Sequence, residues 1–243
     1  MCDKCQLNLP QPLTMNVYFI GDSDISRWPT ELLPGAGMVS NSVEKPYYKI
    51  EKTFVNGQSG ATLAEAARIA SKELQKEILK KNEVVRLVIA CAGENDLGNG
   101  VSVEDTMEGF RLFLSAVHLP NQDKDSSPWF LLFLGPKFEP WMSDDPSSRK
   151  QYSKLSRAMK RCCDRHEQCK QILFLDCLTM FCGESALQPG AVLGGKAVAE
   201  EKYFDKDELH LGCLGYSLWK TTIEEKLVPL IFSGRWEIVE SSL

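Results

Sequence analysis

The feature that most constrains this chain is an alternation. Five short runs rich in β-branched and aromatic residues, at 16–21, 47–56, 84–91, 129–135 and 171–176, are each followed by a longer segment, in most cases with a helical pattern. Strands separated in this way cannot be joined by tight hairpins, and helical crossovers make them parallel. The runs at 84–91 (V-V-R-L-V-I-A-C) and 129–135 (W-F-L-L-F-L-G) are apolar almost throughout, as strands buried on both faces tend to be. Helices are expected over 24–33, 62–80, 103–117, 149–163 and 212–227. In the second of these, Thr62 and Glu65 have the spacing of a capping box, and Leu63, Ala66, Ala67, Ala70, Leu74 and Ile78 form one apolar stripe. The expected architecture is α/β, a five-stranded parallel sheet covered on both faces. It occupies one domain over 15–232, with an N-terminal extension over 1–14 and a C-terminal tail over 233–243.

Composition excludes several partners. With 28 Lys and Arg against 33 Asp and Glu, the net charge is −5, which gives no general attraction to phosphate backbones, so nucleic acid is not expected as a partner. No run approaches the 18 or so apolar residues of a spanning helix, so stable membrane insertion is not expected either. The first residues lack the basic-then-apolar order of an export signal, and the nine cysteines are an odd number. Reduced thiols in a cytoplasmic protein are therefore expected. Cys2 and Cys5 form a lone C-x-x-C without a second pair of ligands. Cys162, His166 and Cys169 fall on one helical face, which reads as a helix burying small cysteines. No metal and no cofactor are expected. The cluster Arg149, Lys150, Lys154, Arg157, Lys160, Arg161 and Arg165 reads as solvated helix surface.

In open parallel sheets, ligands bind beyond the carboxyl ends of the strands. Those positions carry Gly21-Asp22-Ser23-Asp24, Asn56-Gly57-Gln58-Ser59-Gly60 and Gly93-Glu94-Asn95-Asp96, with Asp207-Glu208-Leu209-His210 ahead of the last helix. Together they supply the groups for acyl transfer. A serine at a strand-to-helix turn presents a hydroxyl, a histidine takes its proton, and a carboxylate orients the histidine. The chain has only three histidines: His118, His166 and His210. His210 alone has a carboxylate, Asp207, at close spacing and a place at the active edge of the sheet. Ser59 competes with Ser23 as nucleophile, but its surroundings are not G-x-S-x-G, and shaping or capping the following helix is its simpler role. The Ser23 and Gly57 N–H groups and the Asn95 amide are candidate donors to an oxyanion.

These four blocks, I-G-D-S, N-G-Q-S-G-A-T, G-E-N-D and D-E-L-H, resemble those of the SGNH (GDSL-type) hydrolases, in the same order and across most of the chain. The resemblance implies a flavodoxin-like three-layer α/β/α sandwich and metal-free hydrolysis of carboxylic esters. It implies Ser23 as nucleophile, His210 as base, Asp207 as the group orienting His210, and Ser23, Gly57 and Asn95 as the oxyanion hole. Asp22 and Asp96 match motif positions and are expected to support the site from behind. Asp24 departs from the family, in which the residue after G-D-S is usually apolar, and it reads as tolerated variation.

Specificity is expected from 26–46 with Trp28, Leu32 and Leu33, from 135–145 with Phe138 and Trp141, and from 181–204. The absence of a long apolar lid favours small, short-acyl esters such as O-acetylated metabolites or sugars. Longer acyl chains, as in lysophospholipase, lipase or acyltransferase chemistry, are the alternative. A ligand-binding protein that kept the fold without catalysis is the alternative of another class.

Overall fold

The computed structural model describes residues 13–32, 48–78, 85–118, 129–166, 171–187 and 197–240. Cys2, Cys5, Leu33 and Cys169 lie outside the described residues, as does the side chain of His118. Five strands, β1 (Leu13–Gly21), β2 (Tyr48–Gly57), β3 (Val85–Cys91), β4 (Trp129–Leu134) and β5 (Ile172–Leu175), form one sheet in the order β2-β1-β3-β4-β5. Every pairing is parallel. This order is the flavodoxin-like one, and its direction reverses between β1 and β3.

Among the described residues, six helices accompany the sheet: α1 (Ser23–Ser26), α2 (Leu63–Ile78), α3 (Glu94–Gly98), α4 (Val103–His118), α5 (Pro146–Asp164) and α6 (Cys213–Glu240). Register assigns the long helices to faces. Phe133 pairs in the sheet with Ala90, and Ala90 with Ile20, so these three side chains share one face. Phe133 meets Phe110 and Phe113 of α4 edge-on, at 4.8 and 5.6 Å. α4 in turn packs against both α2 and α5, which builds one outer layer. Phe19 lies on the opposite face and packs on Trp28, which stacks on Trp219 of α6 at 5.5 Å. The sandwich therefore has three layers. No described helix is long and apolar enough to cross a membrane.

Thr62 and Glu65 form the capping box at the start of α2: the Thr62 N–H donates to Glu65 Oε2 at 2.8 Å, and the Glu65 N–H donates to Thr62 Oγ1 at 3.4 Å. Two expectations need correction. The helix expected over 24–33 is instead the four-residue α1 followed by a separate 3-10 turn at Thr30–Leu32. Pro29 separates them, because a proline disfavours helical backbone at the residue before it. The last helix does not stop at 227 but continues to Glu240, into the expected tail.

The basic cluster on α5 is not uniformly solvated. Arg149 is buried, with its guanidinium 5.1 Å from the Phe138 ring and hydrogen-bonded to the Ala197 carbonyl. Of the cysteines, Cys91, Cys163, Cys177 and Cys182 are buried free thiols. Burial pushes Cys163 up to about 12, which keeps it protonated and inert. Cys162 and His166 line a groove with Arg111, Arg161 and Arg165 while Cys163 faces the core, so the adjacent cysteines diverge. His166 is half-buried rather than at the open surface.

Candidate active site

At the switch point, β1 ends in Gly21 and the chain turns through Asp22 into α1. The Asp22 N–H donates to the Cys91 carbonyl at the end of β3 (3.1 Å), and Asp22 Oδ1 accepts from the Asp24 N–H (3.1 Å). Asp22 thus caps the turn that carries Ser23, which is half-buried. On the other side of the switch point, Gly93 has φ 118°, a left-handed conformation that side chains other than glycine rarely adopt. It redirects the chain from β3 into α3 and so places Glu94 and Asn95.

A cleft of about 300 Å³ lies over this junction, and Asp22, Ser23, Ser59, Asn95, Trp141 and His210 are among the residues lining it. The Asn95 amide donates to the Ala61 carbonyl at 3.1 Å, which uses one of its two amide hydrogens and fixes the side chain. Ser59 contributes to the cleft wall, while the helix cap assigned to it is made by Thr62.

His210 arrives from a short hairpin in which Phe204 and Leu211 form an antiparallel bridge. Its ring Nδ1 lies 2.7 Å from Asp207 Oδ2, and Asp207 Oδ1 accepts the N–H groups of Leu209 (3.1 Å) and His210 (3.0 Å). Glu208, between them, has φ 57°, and this left-handed residue is part of the tight turn that carries the carboxylate and ring together. Partial desolvation would raise the Asp207 carboxyl. The His210 N–H and ring and the Leu209 N–H outweigh that and hold it well below the usual carboxylate range. Asp207 is thus an anion aimed at Nδ1, which leaves Nε2 as the ring nitrogen able to accept a proton. Among the described residues no hydrogen bond joins the Ser23 hydroxyl to the His210 ring, although both residues line the cleft.

Asp96, Gly57 and Asp207 are not among the residues that line the cleft, Asp207 sitting behind the His210 ring. Asp96 Oδ2 accepts the Leu63 N–H at 2.9 Å and so ties α3 to the start of α2. Gly57 pairs with Gly21 and abuts α1: a β-carbon there would lie 2.2 Å from the Ser26 nitrogen.

The largest departure from expectation is Asp24. It is buried, and its Oδ2 is 2.7 Å from Nζ of Lys137, a lysine only 1% exposed. The same Nζ contacts Glu94 Oε2 at 2.8 Å and Glu139 Oε1 at 3.0 Å. Asp24 is therefore one arm of a buried ionic cluster and not tolerated variation. Burial alone would lower the lysine's pKa, but Asp24, Glu94 and Glu139 reverse that and keep it charged. Burial pushes Asp22 well above the carboxylate range, with Asp24 and Glu94 adding to the effect. Burial likewise raises Glu139, against the pull of Lys137. Lys137 and Glu139 follow β4 directly (G-P-K-F-E-P), so the strand-end rule applied to that strand points to them.

Asp22, Asp24 and Cys91 bring potential metal-ligating atoms within 4.8 Å of one another. Asp24 is already neutralised by Lys137, and burial favours the protonated forms of Asp22 and Cys91, which is the reverse of what a cation requires. The specificity candidates also separate. Trp28 is core, whereas Trp141 is 41% exposed in the cleft, with its indole N–H donating to Glu139 Oε2.

No model of a known protein family matches the sequence, and no curated protein is similar to it. Solved structures are similar. A lipolytic protein of the G-D-S-L family from Veillonella parvula superposes with a TM-score of 0.61 at 15% identity, covering 88% of this chain and 98% of that one. A carbohydrate acetylesterase from Sinorhizobium meliloti gives 0.54 at 15% identity, over 89% and 99% of the two chains. The aryl esterase of M. smegmatis gives 0.52 at 14% identity, over 89% and 99%. The fold of this chain is that of the SGNH hydrolases.

Proposed function

We propose that this chain is a serine hydrolase of carboxylic esters. The observation that carries the proposal is the convergence on one cleft of Ser23, the Asn95 amide and a histidine whose Nδ1 is held by a carboxylate. In this reading His210 Nε2 takes the Ser23 proton as Oγ attacks the ester carbonyl. The oxyanion is met by the Asn95 amide and the Ser23 N–H, both from residues that line the cleft, and Asp22 and Asp96 hold the surrounding turns. His210 then protonates the departing alcohol. Water, deprotonated by the same ring, releases the acid and regenerates Ser23.

A cleft of about 300 Å³ lies at the small end for ligand sites and supports small or short-acyl substrates, O-acetylated metabolites or sugars among them. Acetylesterase activity in a protein of the same fold is in keeping with that choice. The test is a ladder of nitrophenyl esters from acetyl to long acyl, combined with fluorophosphonate labelling and mapping of the modified peptide. Turnover that falls steeply beyond short acyl groups, with the label on Ser23, is expected. A preference for long chains would move the substrate to the lysophospholipase class, and release of acyl alcohol adducts instead of acid would make it a transferase. No label on Ser23 would leave a ligand-binding protein.

Asp207→Asn is expected to lower kcat by about a thousandfold, because the amide cannot hold an Nδ1 proton as the carboxylate does. The substitution also has a stability signature. The folded pKa of Asp207 is depressed below 3.8, so its contribution is present above that pH and is lost as the pH falls through the folded value. Acid unfolding monitored below about pH 4 should therefore be shallower in the Asn variant, by the share that Asp207 contributes.

A further inference from the structure

We infer that Lys137 is a positioning residue: its single ammonium clamps the residue after Ser23 to the residue before Asn95, and so sets the distance between nucleophile and oxyanion donor. This inference rests on the roles proposed above for Ser23 and Asn95. The geometry behind it is specific. Asp24 belongs to α1, Glu94 opens α3, and the two helices follow different strands, β1 and β3. Nζ reaches one carboxylate oxygen of each, at 2.7 and 2.8 Å. The other oxygen of Glu94 accepts the backbone N–H of Lys137 at 2.8 Å, so the anchor is itself fixed to the end of β4. Glu139 completes the cluster and passes the connection to Trp141 in the cleft wall. Tyr216 of α6 holds α1 from the opposite side, its hydroxyl donating to the Asp24 carbonyl at 2.9 Å.

Other titratable groups also face the cluster. Asp22 and Cys91 lie beside Asp24, and Tyr152 of α5 lines the same cleft. His210 lines the cleft as well, but among the described residues Lys137 is the cation that contacts Asp24, Glu94 and Glu139. Without it, the carboxylates remain close only while they share protons. As they ionise they repel, and the two helix starts separate.

The experiment uses Lys137→Met and Glu94→Gln in the full chain, with kcat and KM for an acetyl ester measured from pH 5 to 9. For Lys137→Met, kcat at pH 8 is expected to fall about thirtyfold or more with KM within about threefold. The loss should shrink toward pH 6, which gives the variant a descending alkaline limb that the wild-type chain lacks. Glu94→Gln keeps an acceptor oxygen but loses the charge, and should lower kcat about three- to tenfold. Phe113→Leu, in the core of α4, serves as the stability control and should lower the melting temperature without changing kcat. If Lys137→Met does not fold, Glu94→Gln decides alone. Variants with kcat near wild type at every pH, or with losses that are independent of pH and matched by Phe113→Leu, would overturn the clamp. Failure of wild-type Ser23 to label would remove the catalytic reading and the clamp with it, whereas normal wild-type labelling with insensitive variants would remove the clamp alone.

Discussion

Ser23→Ala should lower kcat/KM for any ester substrate by about 10⁴- to 10⁶-fold and abolish fluorophosphonate labelling. The size of the effect follows from how the groups cooperate. In the proposed mechanism His210 activates the Ser23 hydroxyl, and without that hydroxyl the cleft keeps only substrate binding and oxyanion contacts. Ser23 is half-buried and its hydroxyl has no hydrogen-bond partner among the described residues, so stability should change by only about 0.5 kcal/mol. An inactive protein that unfolds like the wild type is thus expected, checked by urea titration beside the assay. Residual turnover above about a hundredth of wild type would return the nucleophile to Ser59, the other serine in the cleft.

Gly57→Ala should be less damaging to function than Ser23→Ala but far more damaging to stability. An alanine retains the N–H, so any loss cannot come from removing an oxyanion donor. The added methyl would stand 2.2 Å from the Ser26 nitrogen, 2.6 Å from its α-carbon and 2.7 Å from the Ile25 carbonyl carbon. All three are backbone atoms, and no rotamer change relieves them. Ordinary contact requires α1 to retreat by about 1 Å, a displacement that can cost about a hundredfold in rate when it moves a reacting group. Ser23 lies at the start of α1 and moves with it. The overpacking should also cost about 3 kcal/mol, read as a lower urea midpoint. A Gly57→Ala variant with wild-type rate and stability would show that β2 and α1 can separate freely, and would leave Gly57 only its N–H.

Much of this site was legible because it is written in local patterns. The runs at 84–91 and 129–135 identify buried parallel strands, and the strand ends then carry Ser23 and Asn95 into one cleft. Asp207 and His210 are three residues apart, so a single turn joins them. The residues that sequence misplaced are those whose partners are distant in the chain. Asp24 looked incidental because Lys137 lies 113 positions away. Gly57 looked like a donor alone, because the sequence does not show that the backbone of α1 lies against it. Arg149 looked solvated on a basic helix, yet it packs on Phe138 and bonds Ala197, 48 residues further on.

The sequence by itself determined the α/β class and the parallel sheet, and it singled out the serine, histidine and carboxylate proposed for acyl transfer. Those conclusions depend on periodicity, capping and short spacings, which act over a few residues. Only the tertiary structure decided which groups hold the site in place. Whether an acidic residue is a solvated charge or one arm of a buried ionic cluster depends on what desolvates it and what faces it. For Asp24 that is Lys137, at the end of another strand, and burial makes its charge matter far more than the same charge would in water.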